Sequence, residues 1–222
     1  LNARSMTSVS VNMDKPELIQ DVIVDANIDV LSINETWLTT DTLPNTISSV
    51  LPSDYSFLNS PRTSGRGGGV GFIYKSHLNL IKKSIPVFSS FEAMLAQFSI
   101  GSSTFQILTL YRPPSSSIKS FISEFTQLLE SLVSSPSELL IFGDFNVHVD
   151  DLNNDDANKF VLLLSNFNLK QHVNFSTHKM GHTLDLFITH KETNINPSVE
   201  YEYLCFFDHM ALIAEVTVPV KN

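Results

Sequence analysis

The sequence predicts an α/β fold built from two packed, mostly antiparallel sheets flanked by helices, a four-layer α/β sandwich. Three observations carry this reading. Short runs of strand character recur along the chain, only three segments have helical periodicity, and some strand-like runs are apolar on both faces, as strands covered from both sides are. The 222 residues read as one domain, 1–222, long enough to bury a sizeable core and without internal repeat, low-complexity tract or linker.

The first helix is expected from Pro16 to Ala26, where Leu18, Ile19, Val22, Ile23 and Ala26 share a face, Asp14 can cap and Pro16 is tolerated in the first turn. Strands follow at Asp29–Asn34, Gly69–Tyr74, Ala93–Ile100 and Phe105–Tyr111. The stretch "IKSFISEFTQLLESLV" repeats apolar residues at i, i+3, i+4 and i+7 behind a Ser115–Ser117 cap, so Phe121, Phe125, Leu128 and Leu129 are core. Beyond it come a strand at Leu139–Phe142, a helix over 155–167 with acids in its first turn, and strands at Thr183–Thr189 and His209–Val218. Gly, Pro and Ser punctuate the loops "SPRTSGRGGG", "YRPPSSS" and "NINPS".

Hydrophobic residues make up 42% and charged residues 17%, a globular profile. No apolar run approaches the ~20 residues of a membrane helix, and no signal-peptide pattern opens the chain. One cysteine, Cys205, rules out an internal disulfide framework and a CxxC metal site. A net charge of −9 argues against a protein that coats nucleic acid nonspecifically, since that binding comes from Lys and Arg displacing counterions; a set of metal-binding carboxylates would account for part of the excess.

The stretch "LLIFGDFNVHVDD", residues 139–151, runs apolar and then delivers Asp144, Asn146, His148, Asp150 and Asp151. Taken alone this is as well explained by a polar turn. Four further segments repeat the pattern: "DVLSIN" runs into Glu35, "FQILTL" into Tyr111 and Arg112, "HTLDLFIT" sets Asp185 between Leu184 and Leu186, and "FFDHMALIAEV" sets Asp208 and His209 before the last strand. Buried acids are costly unless they converge and satisfy one another. Such a set suits phosphodiester hydrolysis. Glu35, Asp208 and Asn2 offer oxygen ligands for Mg²⁺; His209 held by Asp185 is a base or a phosphate-stabilising imidazolium; Asp144 and Asn146 would hold the attacking water; Tyr111 would donate to phosphate. A zinc site on His178 and His182 is disfavoured, because only two His lie close and Gly181 breaks any helix that would align them.

In order, these segments resemble the endonuclease/exonuclease/phosphatase superfamily that includes DNase I and exonuclease III, and most of all the endonuclease domain of non-LTR (LINE-type) retrotransposons. "LNARS" resembles its opening strand with a metal-associated Asn, "INETWL" its metal-binding Glu segment, "GRGGGVGFIYK" and "YRPP" the retrotransposon branch, "GDFNVHVDD" the GDFN signature, "THKMGHTLDLFIT" the strand carrying its Asp, and "FDH" its SDH signature. The resemblance covers nearly the whole chain. It implies the DNase I-like sandwich and a Mg²⁺-dependent (or Mn²⁺-dependent) endonuclease that nicks DNA and leaves a 3′-hydroxyl for target-primed reverse transcription. It implies Glu35 and Asp208 as metal ligands with Asn2 nearby, His209 oriented by Asp185, Asp144 and Asn146 on the nucleophilic water, and Tyr111 on phosphate. Three departures are visible: Pro114 where many relatives have Asn, Phe207 where SDH has Ser, and a start at Leu1 inside the first strand, which predicts a truncated strand and a poorly anchored Asn2.

DNA is the expected partner, with Arg62, Arg66, Arg112 and His178 as candidate substrate contacts and Lys75, Lys82, Lys83, Lys170 and Lys179 as further candidates for a phosphate-facing surface. In a complete element a reverse transcriptase domain and the element's RNA would be partners, and nuclear or cytoplasmic localisation follows from the substrate. The alternatives are a phosphoesterase for abasic DNA, phosphoinositide or sphingomyelin, and an inactive interaction module.

Overall fold

The computed structural model describes residues 1–10, 13–42, 47–62, 65, 67–151, 153–193, 195–202 and 207–218. The ribbon β1 (Val9–Ser10) and β2 (Met13–Asp14) leads into α1 (Lys15–Asp25), capped by the Asp14 carboxylate on the Glu17 N–H with Pro16 in the first turn. Strands β3 (Val30–Asn34), β4 (Tyr55–Ser60), β5 (Val70–Lys75), β6 (Ile81–Lys83), β7 (Glu92–Ile100) and β8 (Ser103–Tyr111) follow. Helix α2 (Ile118–Leu132), capped by Ser117, connects to β9 (Glu138–Asp144), and α3 (Asp155–Asn166), capped by Asn154 with two acids in its first turn, to β10 (Leu169–Gln171). The chain closes with β11 (Asp185–His190), β12 (Asn196–Glu202) and β13 (Ala211–Thr217).

Two main sheets result, ordered β10-β11-β9-β8-β7-β6 and β3-β5-β4, with β12-β13 as a separate antiparallel ribbon. Every strand pair in the two sheets is antiparallel except β8–β9, whose crossover is α2. The four expected layers are present. Helices α2 and α3 cover the outer face of the six-stranded sheet through Phe121, Phe125, Leu129 and Phe160 on Leu108, Leu110, Ile141 and Leu186. The inner face packs Ile107, Leu140 and Phe187 against Phe72 and Tyr74 of β5, and the β12-β13 ribbon adds Val199 and Leu212. Helix α1 covers the far side of the smaller sheet, Ile19 and Ile23 meeting Leu31, Ile33 and Ile73.

This layering decides which side chains reach the gap between the sheets. Because side chains alternate along a strand, the outward Leu108 and Leu110 leave Ile107, Thr109 and Tyr111 inward; the outward Leu139 and Ile141 leave Leu140, Phe142 and Asp144 inward; and Leu186 and Ile188 leave Asp185 and Phe187 inward. The pairing register sets Asp185 beside Asp144, Asp144 beside Tyr111, and Tyr111 beside Glu92. Four polar residues therefore cross four adjacent strands in one row at one end of the gap.

Several strands were not expected from the sequence. All six residues of β4 are half-buried, so "YSFLNS" lacks alternation; β6 and β10 have three residues each; β12 carries Pro197 and two acids. The strand expected over Thr183–Thr189 begins at Asp185, and the one expected over His209–Val218 runs Ala211–Thr217. Asn2 is not poorly anchored: it bridges Asn34 and is 1% exposed, because the amides of Ala3 and Asn34 pair with the carbonyls of Asn34 and Leu1. Cys205 lies outside the described residues.

Gly143 makes the parallel β8–β9 pairing possible at the row. With φ at 152°, any Cβ there would lie 1.9 Å from the Leu110 carbonyl oxygen. Gly143→Ala is therefore expected to lower stability by about 3 kcal/mol, read as a reduced urea midpoint, since the clash is with backbone that cannot step aside. A second outcome concerns Glu124 on α2, which accepts from the Ser89 and Ser90 amides and hydroxyls. Burial alone would raise its pKa, but these donors outweigh it and hold the carboxyl down at about 2. A depressed folded pKa stabilises the fold above the unfolded value, so this contribution should fade as pH falls from about 4.3 through about 2, and Glu124→Gln should remove that segment of the acid-unfolding curve.

Candidate active site

At the row's centre, Asp144 is 1% exposed and its carboxylate is engaged from three sides. Its Oδ1 accepts the Asn146 amide at 3.0 Å, its Oδ2 accepts the Asn2 Nδ2 at 2.9 Å, and His209 Nε2 lies 3.9 Å away. The same Asn2 nitrogen donates to Glu35 Oε1 at 3.0 Å, so one buried amide joins a carboxylate from each sheet. Burial and the nearby Asp185 charge raise the Asp144 pKa, against the opposing pull of His209, Asn2 and the Asn146 amide.

His209 pairs its Nδ1 with Asp185 Oδ2 at 2.7 Å. Burial disfavours the imidazolium, but the Asp185 hydrogen bond and the charges of Asp185, Asp144 and Glu35 outweigh it and raise the pKa. The segment holding this pair is stitched across: Thr177 Oγ1 accepts the Leu184 and Asp185 amides, and the Met210 and Lys179 amides donate to the carbonyls of Thr177 and Asp208. The His178 ring stands edge-on to His209 with centroids 4.8 Å apart.

Glu35 occupies a turn in which it and Trp37 both adopt left-handed backbone, φ 52° and 55°. Such residues cost about 1–3 kcal/mol each and persist only when the surroundings enforce them. The glycine-rich segment does so. The Thr36 and Trp37 amides donate to Gly69 and Gly68, and a Cβ at Gly69 would sit 2.5 Å from Thr36 Oγ1. Trp37 Nε1 donates to Glu35 Oε2 at 3.1 Å. Tyr111 has its pKa raised by burial and by the Glu35 and Asp144 charges, which keeps its hydroxyl a donor.

Asp208, expected as a metal ligand, is ion-paired in this structure through Oδ2 to Arg4 and through Oδ1 to Lys179, and the Lys179 bond leads the causes that lower its pKa. Among the described residues, Asp144, Asp185 and His209 form the one group whose ligand atoms all lie within 4.8 Å of one another. The donor set fits a hard divalent cation: carboxylate oxygens with one imidazole, their negative charge met here by Arg4, Lys179 and His209. His178 and His182 do not converge; the His182 ring lies tilted against His148 and pairs with Asp150.

The four candidate substrate contacts separate. Arg112 is corrected: it is 5% exposed, its guanidinium donates to the carbonyls of Phe145, Asn146 and Ser116, and Asn146 Nδ2 returns a bond to the Arg112 carbonyl. It braces the loop after β9. Arg62 sits over the Tyr111 ring at 6.0 Å and pairs with Glu92, which also accepts the Gly69 amide. His178 borders His209, and Arg66 lies outside the described residues. Sequence reasoning missed Glu92 and Arg4. The first shares its strand parity with the inward Met94, Ala96 and Phe98, a signal that was available; the second lies 204 residues from its partner.

A family model described as the Endonuclease/Exonuclease/phosphatase family matches residues 9–203. Solved structures with the same fold include the endonuclease domain of TRAS1, a telomere-specific non-LTR retrotransposon, at 12% identity and TM-score 0.72, covering 97% of this chain and 95% of that one. The 3′ phosphatase NExo from Neisseria, bound to a product DNA hairpin, has 13% identity and TM-score 0.73 over 98% of this chain and 97% of that one. AP endonuclease LMAP from Leishmania major has 15% identity and TM-score 0.76 over 98% and 86%. No curated protein matches significantly. No helix among the described residues is long and apolar enough to cross a membrane.

The His209–Asp185 pair yields a titration test. Asp185→Asn is expected to lower the His209 pKa, followed by NMR of the ring protons. Because the folded pKa lies above the unfolded value of about 6.5, the pair stabilises the fold fully below that pH, and the contribution is lost as pH rises through the folded pKa. An unshifted His209 in the variant would contradict this assignment.

Proposed function

The chain belongs to the endonuclease/exonuclease/phosphatase family, and from that premise we propose that it is a divalent-metal-dependent DNA endonuclease, nicking one strand to leave the 3′-hydroxyl that primes reverse transcription in a non-LTR retrotransposon. The observation that carries the reading is the 2.7 Å His209–Asp185 pair set beside Asp144, with Asn2 tying Asp144 to Glu35. Mg²⁺ or Mn²⁺ would be held by Glu35 and Asp208 with Asn2 nearby, and when bound it neutralises charge on the phosphoryl oxygens and the leaving oxygen.

The chain's own residues do the rest. Asp144, whose raised pKa suits a base near neutral pH, accepts the proton of the attacking water. Asn146, anchored through its amide nitrogen on the Arg112 carbonyl, orients that water. His209 has Nδ1 committed to Asp185 and presents Nε2, as imidazolium, to the charge that builds on the phosphate. Tyr111 donates its hydroxyl to a phosphate oxygen. The water oxygen bonds to phosphorus as the bond to the 3′-oxygen breaks, and that oxygen takes a proton from solvent to leave as the 3′-hydroxyl.

Supercoiled plasmid should be nicked in Mg²⁺ and not in EDTA, and His209→Ala and Asp144→Ala should each reduce nicking at least ~10²-fold, the scale of a lost acid–base group. Competition with an abasic duplex and with phosphoinositide and sphingomyelin headgroups separates this reading from the other phosphoesterases of the family. Preference for any of these over plasmid, or no hydrolysis by folded protein, would overturn it.

A further inference from the structure

Asp208 carries more positive charge than it can neutralise. One carboxylate oxygen is paired with the Arg4 guanidinium and the other with the Lys179 ammonium, so two cations sit on one acid. The two arms differ from their anchor points. The Arg4 backbone is fixed, its amide on Asn2 Oδ1 and its carbonyl under Lys15 Nζ, and the Lys179 amide is bonded to the Asp208 carbonyl. Their side chains are 55% and 54% exposed, against 22% for Asp208. Both cations therefore have firm bases and solvent-exposed heads. They also flank the reacting groups, Arg4 two residues from Asn2 and Lys179 next to His178, whose ring meets that of His209.

We propose that Arg4 and Lys179 are DNA phosphate contacts parked on Asp208, released when a divalent cation takes that carboxylate, so that metal binding and DNA binding are coupled by an exchange of partners. This rests on the function proposed above. A dication cannot share both oxygens of Asp208 with two other positive groups: its arrival repels them, and the phosphodiester is the anion then within the site. The exchange is cheap, because both cations reach Asp208 from largely solvent-exposed side chains, where such pairs contribute little. The heads suit their new partner, the guanidinium as a planar fork for phosphate oxygens and the ammonium as a point charge. In a chain of net charge −9, two cations gathered at one end of the inter-sheet gap form a positive rim that a polyanion needs.

The coupling gives opposite signs in two measurements on Arg4→Ala, Lys179→Ala and the double variant. Mn²⁺ affinity by isothermal titration without DNA should rise several-fold, because a competitor for Asp208 is gone. Affinity for a hydrolysis-resistant phosphorothioate duplex in Mn²⁺, by fluorescence anisotropy, should fall several-fold, and the slope of log K against log salt should become shallower by about 0.9 for each residue removed. Lys159→Ala, on α3 and paired with Asp156, should change neither. A purely structural ion pair would weaken both or neither. Wild-type protein that binds Mn²⁺ and DNA while the variants match it, or lose metal affinity, would overturn the exchange alone. Wild-type protein that binds no divalent cation would overturn the proposed function and the exchange with it.

Discussion

One buried nitrogen sets the distance between the two sheets where it matters. The side-chain amide of Asn2 donates at once to Glu35, which follows β3 in the smaller sheet, and to Asp144, the last residue of β9 in the larger one. Two carboxylates approaching across a gap would repel and lose hydration; a shared donor turns that repulsion into a common attachment. Further along the gap Asn34 donates to Thr109 Oγ1 and the Leu110 carbonyl, and Ser32 bonds Thr109, so the sheets are pinned by polar contacts where apolar packing ends. Beyond Thr109 the interface is Phe72, Ile107, Leu140 and Phe187. The gap is an apolar core with a polar mouth, and the candidate active site occupies the mouth.

Charge at that mouth is balanced locally. Asp144 and Asp185 are buried side by side, and acids so placed need compensation. His209 supplies it, bonded to one and 3.9 Å from the other. Asp208 is compensated separately by Arg4 and Lys179. These two balances differ in kind. The His209 balance is buried and rigid, which suits a group that must hold one geometry during reaction, while the Asp208 balance is made of long exposed arms, which suits groups that change partner.

Legibility in the sequence followed the cost of each residue's position. An acid between Leu184 and Leu186 has no inexpensive explanation, so Asp185 pointed to a partner, and an apolar strand running into Asp144 did the same. The helices were readable because their apolar period and caps are local properties. Glu92 shares the inward parity of Met94, Ala96 and Phe98, but an acid at the start of a strand is ordinary until the register places it beside Tyr111. Arg112 was misread because a basic residue after a strand-end Tyr looks solvated; only the loop packed around it, with three carbonyls turned inward, makes it a brace. Strand β4 escaped because none of its residues is fully buried, so its only definition is the pairing with β5.

The same alternation explains how the fold tolerates identities of only 12–15% with structures that share it. A slip of one residue in the β8–β9 or β9–β11 register would send Tyr111, Asp144 and Asp185 to the helix-covered face. It would also send Leu108, Ile141 and Leu186 into the gap, where Phe72 and Phe187 already fill the space. Stability therefore enforces the register through many interchangeable apolar side chains, and the register in turn aims the few side chains that are not interchangeable. Gly143 is where the two demands meet, because its lack of a side chain lets β9 approach Leu110 closely enough for the next residue to reach the mouth. Most of the sequence is then free to vary in identity so long as it keeps its pattern, and the polar row is carried along by a core that has no chemical part in it.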